Sequence, residues 1–259
     1  MTSSTPIVHA ATHTVDAPDR VGSSLHLVTW NIKFGVETAA ASDALLHSDA
    51  LRSADVVLLQ EMDEVGTEAI ARAVGLNYVF ASSAVHPRTG RAFGNAVLSR
   101  WPLRDPEVVT LSHKSAVQGQ YRIAVRATVS FGLGDVDACS VHTEVPSLSS
   151  PKRRRQFTEI AEATERWTPE RLVIGGDFNT LTQRGAAVVR DRMQRIGADH
   201  VSAGAGATLR RGGREFTLDH VFARGLRPTA RGVVRGLSAS DHRPLWVRFG
   251  LADGFEQTG

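Results

Sequence analysis

Apolar residues in this chain come in short runs, and run after run meets a polar residue of catalytic type: Asn31, Glu61, His142, Asp177 with Asn179, Asp219-His220 and Asp241-His242. The stretch from Arg171 to Asn179 carries the pattern furthest, with Leu-Val-Ile leading into Gly175-Gly176 and then Asp177 and Asn179 two positions apart. Extended residues two apart project to the same side, so a carboxylate and an amide converge at a strand end. The two glycines strip side chains from the backbone just before them, which permits a tight turn and close approach of a ligand. Taken alone, the stretch reads equally as a surface turn, since Gly-Gly-Asp is a common turn former.

In chain order, the same patterning predicts strands over Leu25–Asn31 and Ala54–Glu61. A helix is expected between them over about Ala39–Arg52, with Ser42 or Asp43 as caps and Ala44, Leu45 and Leu51 on its apolar face. Glu64–Val74 reads as a short helix ended by Gly75. Strands Tyr78–Phe80 and Asn95–Ser99 follow, joined by a polar loop at His86–Arg91, then a short strand at Val108–Leu111. Tyr121–Ser130 alternates as a half-buried antiparallel strand does, and Val136–His142 is a further strand. Ser150-Pro151 opens a helix to about Trp167, and Arg184–Ile196 is another; strands near Glu215–Ala223 and Leu245–Gly250 close the pattern.

Composition narrows the class. At 259 residues and 42% hydrophobic content, one catalytic domain over residues 24–252 is expected, with a flexible leader at 1–23 and a tail at 253–259. The apolar runs are shorter than a membrane span requires, and Met1–Arg20 lacks the apolar block of a secretory signal, so no membrane anchor is expected. The lone Cys139 forms no internal disulfide and lies in an apolar-alternating strand, which makes it core, and the default location is the cytoplasm. The net charge is only +3, yet Leu181–Gly236 holds eleven arginines against four acidic residues. An arginine bias in the coding sequence accounts for it slightly better than a phosphate-facing surface does. Lys152-Arg-Arg-Arg155, in the first turns of a helix, opposes the helix dipole and reads as a solvated face or a phosphate contact.

The residue chemistry is selective. Glu61, Asp177, Asp241 and the amide oxygens of Asn31 and Asn179 are hard oxygen donors suited to Mg²⁺ or Mn²⁺, whereas zinc prefers sulfur and nitrogen. There is no His-Glu-x-x-His, Cys pair, phosphate-binding Gly-x-x-x-x-Gly-Lys loop or Gly-x-Ser-x-Gly elbow. Oxygen-bound metal with histidines points to phosphoryl chemistry.

At this point the sequence resembles the endonuclease/exonuclease/phosphatase superfamily. The resemblance rests on Thr29-Trp-Asn-Ile32, Leu59-Gln-Glu61, Gly94-Asn-Ala-Val-Leu-Ser-Arg100, Val141-His-Thr143, Gly176-Asp-Phe-Asn179, Leu218-Asp-His-Val221 and Ser240-Asp-His-Arg-Pro-Leu245, in family order. It implies a four-layer α/β sandwich, two mainly antiparallel sheets face to face with helices outside. It also implies that Glu61 and Asp241 hold the principal Mg²⁺ or Mn²⁺ ion with Asn31 bonding nearby, that Asp177 orients or deprotonates the attacking water, and that Asn179 donates to a phosphoryl oxygen. His242, oriented by Asp219, would stabilise charge on phosphate, and His142 would lie across the scissile bond as acid or donor. Asn95 positions substrate or ends a turn, and Arg122 reaches phosphate or faces solvent. His220, on the other face of its strand, is a packing or surface residue, and Trp30 alternates away from Asn31 into the core.

His142 sets the chain with the deoxyribonuclease, sphingomyelinase and phosphatase branches. The expected activity is a monomeric metal-dependent phosphodiesterase, nuclease-like, acting on DNA, RNA or a small organic phosphodiester. The alternatives are a phosphomonoesterase or lipid phosphodiesterase on the same site, or a non-catalytic nucleic-acid binder on the same scaffold.

Overall fold

The structure is a computed structural model and describes residues 7–12, 24–87, 89–115, 119–131, 134–167 and 170–250. In chain order its elements are β1 (Ile7–Ala11), β2 (Ser24–Asn31), α1 (Thr38–His47), β3 (Val56–Met62), α2 (Glu64–Val74), β4 (Asn77–Val85), β5 (Ala92–Ser99), β6 (Leu103–Thr110), β7 (Ile123–Val129), β8 (Val136–His142), α3 (Ser150–Thr164), β9 (Arg171–Asp177), α4 (Gln183–Arg195), β10 (Asp199–His200), β11 (Leu209–Arg211), β12 (Arg214–Phe216), β13 (Asp219–Arg224), β14 (Arg227–Val233) and β15 (Leu245–Gly250).

Each central strand alternates between two apolar environments, and this sorts the chain into layers. Leu27, Leu58, Val125, Val173, Val221 and Val247 point into a core between the sheets. Their neighbours Val28 and Leu59 pack with Leu45 of α1 and Ile70 of α2. On the opposite side Ile174 and Phe222 meet Phe157 of α3 and Met193 of α4. Burying one such side chain contributes about 1.5–3 kcal/mol, so each layer is held by many modest terms. The outcome is the expected four-layer α/β sandwich. One sheet runs β1-β4-β5-β3-β2-β15-β14, the other β10-β13-β9-β8-β7-β6, and a β11-β12 hairpin stands apart.

Among the described residues only two neighbouring pairs are parallel, β2 with β3 and β8 with β9. Parallel pairing brings both carboxyl ends to one edge. Asn31 therefore stands beside Gln60, and His142 beside Asp177. β13 runs antiparallel to β9 and starts opposite Asp177 at Asp219. Four strand ends and one strand start thus meet at one edge of the two sheets.

Several expectations change. Within the supposed leader, Ile7–Ala11 pairs antiparallel with β4 as an edge strand, its β-branched Ile7-Val8 fitting a pleated surface; residues 1–6 and 13–23 lie outside the described residues, as does the tail. α1 ends at His47 because Ser48 is extended, and Ser42 is interior, donating its hydroxyl to Thr38 O, so neither Ser42 nor Asp43 caps it. α3 stops at Thr164, while Trp167 turns its indole to Glu107. β7 is buried on both faces: Arg126 pairs with Asp137 at 2.5 Å and lies over Trp167, so its polar positions are covered too. The exposed β14 alternates too weakly to be read as a strand, and its register slips between Pro228 and Ala230. The eleven arginines of 181–236 are spread over α4, the hairpin, β13, β14 and the loop after it.

Gly175 and Gly176 lie inside β9 and make no turn. A Cβ on Gly176 would fall 1.9 Å from Val141 O on β8, and one on Gly175 would fall 2.9 Å from Leu58 in the facing sheet. The close approach these glycines permit is that of the protein's own strands.

Candidate active site

Strand periodicity alone would turn Glu61 away from Asn31. Leu59 faces the helices, Gln60 faces the other sheet, and a regular strand would send Glu61 back to the helix side. The chain avoids this with a β-bulge between Gln60 and Met62, where Glu61 adopts φ 58°. A bulge next to a site re-aims a side chain. The Asn31 amide then donates to Glu61 Oε1 at 3.2 Å and to Asp177 Oδ2 at 3.1 Å, joining the two sheets. Its Oδ1 accepts from Lys33 N. With the amide oriented this way, Asn31 bridges the two carboxylates.

Asp177 closes β9 with an Asx turn, its Oδ1 accepting from Asn179 N at 2.8 Å. Asn179 sits at φ 51°, a left-handed conformation asparagine tolerates, and donates to Thr143 O. Arg153 of α3 secures that turn from outside, donating to Asn179 O at 2.6 Å.

Two histidines face Asp177. His142 Nε2 and His242 Nε2 each lie 3.7 Å from Asp177 Oδ2, and His142 Nε2 is 3.8 Å from Glu61 Oε1. His242 Nδ1 donates to Asp219 Oδ2 at 2.9 Å. Its backbone is latched to β2, since Trp30 Nε1 donates to His242 O and Ser240 Oγ donates to Asn31 O. Trp30 is thus core, as alternation predicts, and also holds the histidine loop in place.

Burial raises the pKa of Asp177, the nearby His242 opposes that rise, and Asp219 and Glu61 add to it. Burial likewise raises Glu61, against Arg122 and Asn31. His142 is pushed well below the usual histidine value by burial, then by Arg122 and His242. Burial would lower His242 as well, but the carboxylates of Asp219 and Asp177 outweigh it and hold the ring protonated.

Among the described residues, one set of three side chains offers ligand atoms all within 4.8 Å of one another: Asp177, Asp219 and His242. A histidine binds metal only when neutral. His242 already carries the positive charge of that trio, so the trio reads as a charge-balanced His242–Asp219 dyad with a second carboxylate, Asp177, beside it. The oxygen donors fit a hard divalent ion better on the Glu61 side, where burial raises the pKa of Glu61 and of Asp177 and an added cation would favour their ionised forms. Asp241 stands at the rim, half exposed, 3.7 Å from Lys33 Nζ.

The remaining candidates divide. Arg122 is buried, so the solvent-facing reading fails: it pairs with Glu144 at 3.2 Å, lies over Phe93, and leaves Nη1 without a hydrogen-bond partner. Asn95 is mid-strand rather than at a turn, and its amide donates to Ile123 O and Ser140 O. His220 is buried, bonded to Thr180 and His200, and belongs to packing. Sequence reading missed Glu144 and Gln60. Glu144 is two positions beyond His142, the spacing that shares a strand face, while Gln60 ties Thr29 to Ser140 across the sheets.

The model of the Endonuclease/Exonuclease/phosphatase family matches residues 28–242. No curated protein matches the chain by sequence. Among solved structures, a Bacteroides thetaiotaomicron endonuclease/exonuclease/phosphatase family protein superposes with TM-score 0.70 at 15% identity, covering 87% of this chain and 97% of that one. D. rerio TDP2 in complex with single-strand DNA product gives 0.68 at 17%, covering 88% and 100%. A Bacteroides thetaiotaomicron mannosyl-6-phosphatase gives 0.69 at 14%, covering 87% and 99%. At these identities the likeness is one of fold.

Proposed function

The chain belongs to the endonuclease/exonuclease/phosphatase family, and we propose that it is a divalent-metal-dependent phosphodiesterase of nuclease type, cleaving by in-line attack of water. The observation that carries this is Asp177 Oδ2 set at equal distance from two histidines held in opposite protonation states. A base whose pKa is raised toward neutrality by burial suits proton abstraction from water. Asp177 takes that part, with the Asn31 amide and Asn179 N holding its two oxygens in place. His242, kept protonated and oriented by Asp219, donates from Nε2 to a phosphoryl oxygen as charge develops there. Asn179 adds an amide beside Asp177, and Arg122, with its Nη1 unpaired, adds positive charge on the His142 side.

Neutral His142 lies across from His242 and stands at the leaving group. Glu61, with Asp241 at the rim, would hold Mg²⁺ or Mn²⁺, which when bound supplies charge neutralisation at the phosphate. Cytoplasmic residence is supported by the single cysteine, fully buried with its thiol pKa pushed up. Among the described residues no helix is long and apolar enough to cross a membrane.

The test is hydrolysis of bis(p-nitrophenyl) phosphate and of a single-stranded oligonucleotide, with and without chelator, by wild type and Asp177→Ala. Chelator should abolish turnover, and Asp177→Ala should lower kcat by about 10²–10⁴-fold, the range for a lost general base. Unchanged turnover in the variant rejects the mechanism, and turnover of a phosphomonoester alone moves the assignment to a phosphatase.

A further inference from the structure

A well-formed concavity lies outside the catalytic edge. A pocket of about 350 Å³ opens between the first turns of α3 and α4, lined by Arg153, Arg154, Phe157, Thr182 and Arg184 among others. Arg153, Arg154 and Arg184 form no ion pair with a carboxylate among the described residues. Neither helix has an acidic residue in its first turn. Guanidinium groups gathered at the start of helices oppose the helix dipoles, so this arrangement costs stability until an anion enters. Other arginines at helix surfaces are neutralised by a nearby carboxylate, as in Arg72–Glu68 and Arg155–Glu159, whereas here three guanidinium groups line one concavity without one.

The pocket also adjoins the catalytic residues. Arg153 donates to Asn179 O, and the Asp177–Asn179 turn leads directly to Thr182, the cap of α4. A ligand filling both the pocket and the site must therefore carry negative charge at two places along one chain. Val188 and the buried Phe157 add apolar lining.

Resting on the phosphodiesterase reading above, we propose that the Arg153–Arg154–Arg184 pocket binds a backbone phosphate of a nucleic-acid strand adjacent to the scissile one. Phosphate contacts of this kind position a strand without reading its sequence.

The test is binding of a fluorescein-labelled single-stranded oligodeoxynucleotide, by anisotropy in chelator, to wild type and to the double variant R154Q/R184Q. Both side chains are exposed, while Arg153 is left intact because it braces Asn179. The double variant should weaken binding at least tenfold. It should also flatten the dependence of log Kd on log salt by about 1.4, the loss of two cationic contacts on a single strand. R154K/R184K, which keeps the charge, should retain the wild-type slope. With metal present, the ratio of kcat/KM on the oligonucleotide to that on bis(p-nitrophenyl) phosphate should fall about as far as affinity. Wild-type Kd and slope in R154Q/R184Q overturn the proposal, as does failure of the wild type to bind. Absence of metal-dependent hydrolysis by wild type refutes the phosphodiesterase reading instead, and the anisotropy comparison still decides the pocket.

Discussion

His142 and His242 approach the same oxygen, Asp177 Oδ2, at the same 3.7 Å, yet their surroundings drive them to opposite charge states. His142, at the end of β8, has Arg122 and Phe93 nearby and an Nδ1 without a partner. His242 comes from a loop and rests its Nδ1 on Asp219. Both are buried, so desolvation penalises the cation in each. What separates them is the second neighbour: a guanidinium for one, a carboxylate for the other. The difference teaches that one shared carboxylate can serve a neutral and a charged imidazole together when neighbours push their pKa values apart.

Asp219→Asn should break the contrast most strongly. Removing the main attraction that holds His242 protonated leaves burial to lower its pKa, so the ring loses its proton as pH rises through the neutral range. We expect kcat to fall by about 10²-fold or more at pH near 8, and the alkaline limb of the pH–rate profile to move to lower pH; a profile identical in shape to wild type would contradict the assigned role of His242.

Arg122→Met attacks the other half. It leaves Glu144 buried without its cation, which should cost about 3–5 kcal/mol, read as a lower denaturation midpoint. It also removes one cause of the His142 depression, so the His142 C–H resonances should titrate at higher pH by NMR than in wild type.

The smallest effect tests the carboxylates between the histidines. Asp177 and Glu61 have pKa values raised above those of the unfolded chain, so their contribution to stability is complete below the ordinary carboxylate range and is lost as pH rises through the raised values. A divalent ion binds the ionised forms. Mg²⁺ should therefore raise the melting temperature by a few degrees at about pH 8 and by much less at about pH 5. An equal shift at both would mean that the ion binds away from these groups.

How much of this was legible beforehand varies residue by residue. Alternation placed β2, β8 and β9 almost to the residue, because strands buried on both faces carry dense apolar runs with polar termini. Gly75 was read as the end of α2 and has φ 67° there. β14 and β1 were not read, since edge strands need little apolar content and take much of their order from a neighbour's hydrogen bonds. Asp177 and Asn179 were placed by their spacing, and Glu61 was named, but nothing local foretells the bulge that turns it inward. Arg122 was left between phosphate and solvent because its partner, Glu144, lies across the turn after β8.

By itself, the sequence determined which residues sit at strand ends, the oxygen-rich donor set, the family motifs in their order, and hence a layered α/β fold. Those follow from periodicity and side-chain chemistry, which are local. The tertiary structure alone decided that Asn31 bridges Glu61 and Asp177, that Asp241 stays at the rim, and that two histidines on one carboxylate differ in charge. Each of these depends on distances and desolvation between segments far apart in the chain, and neither quantity exists until the two sheets close on each other.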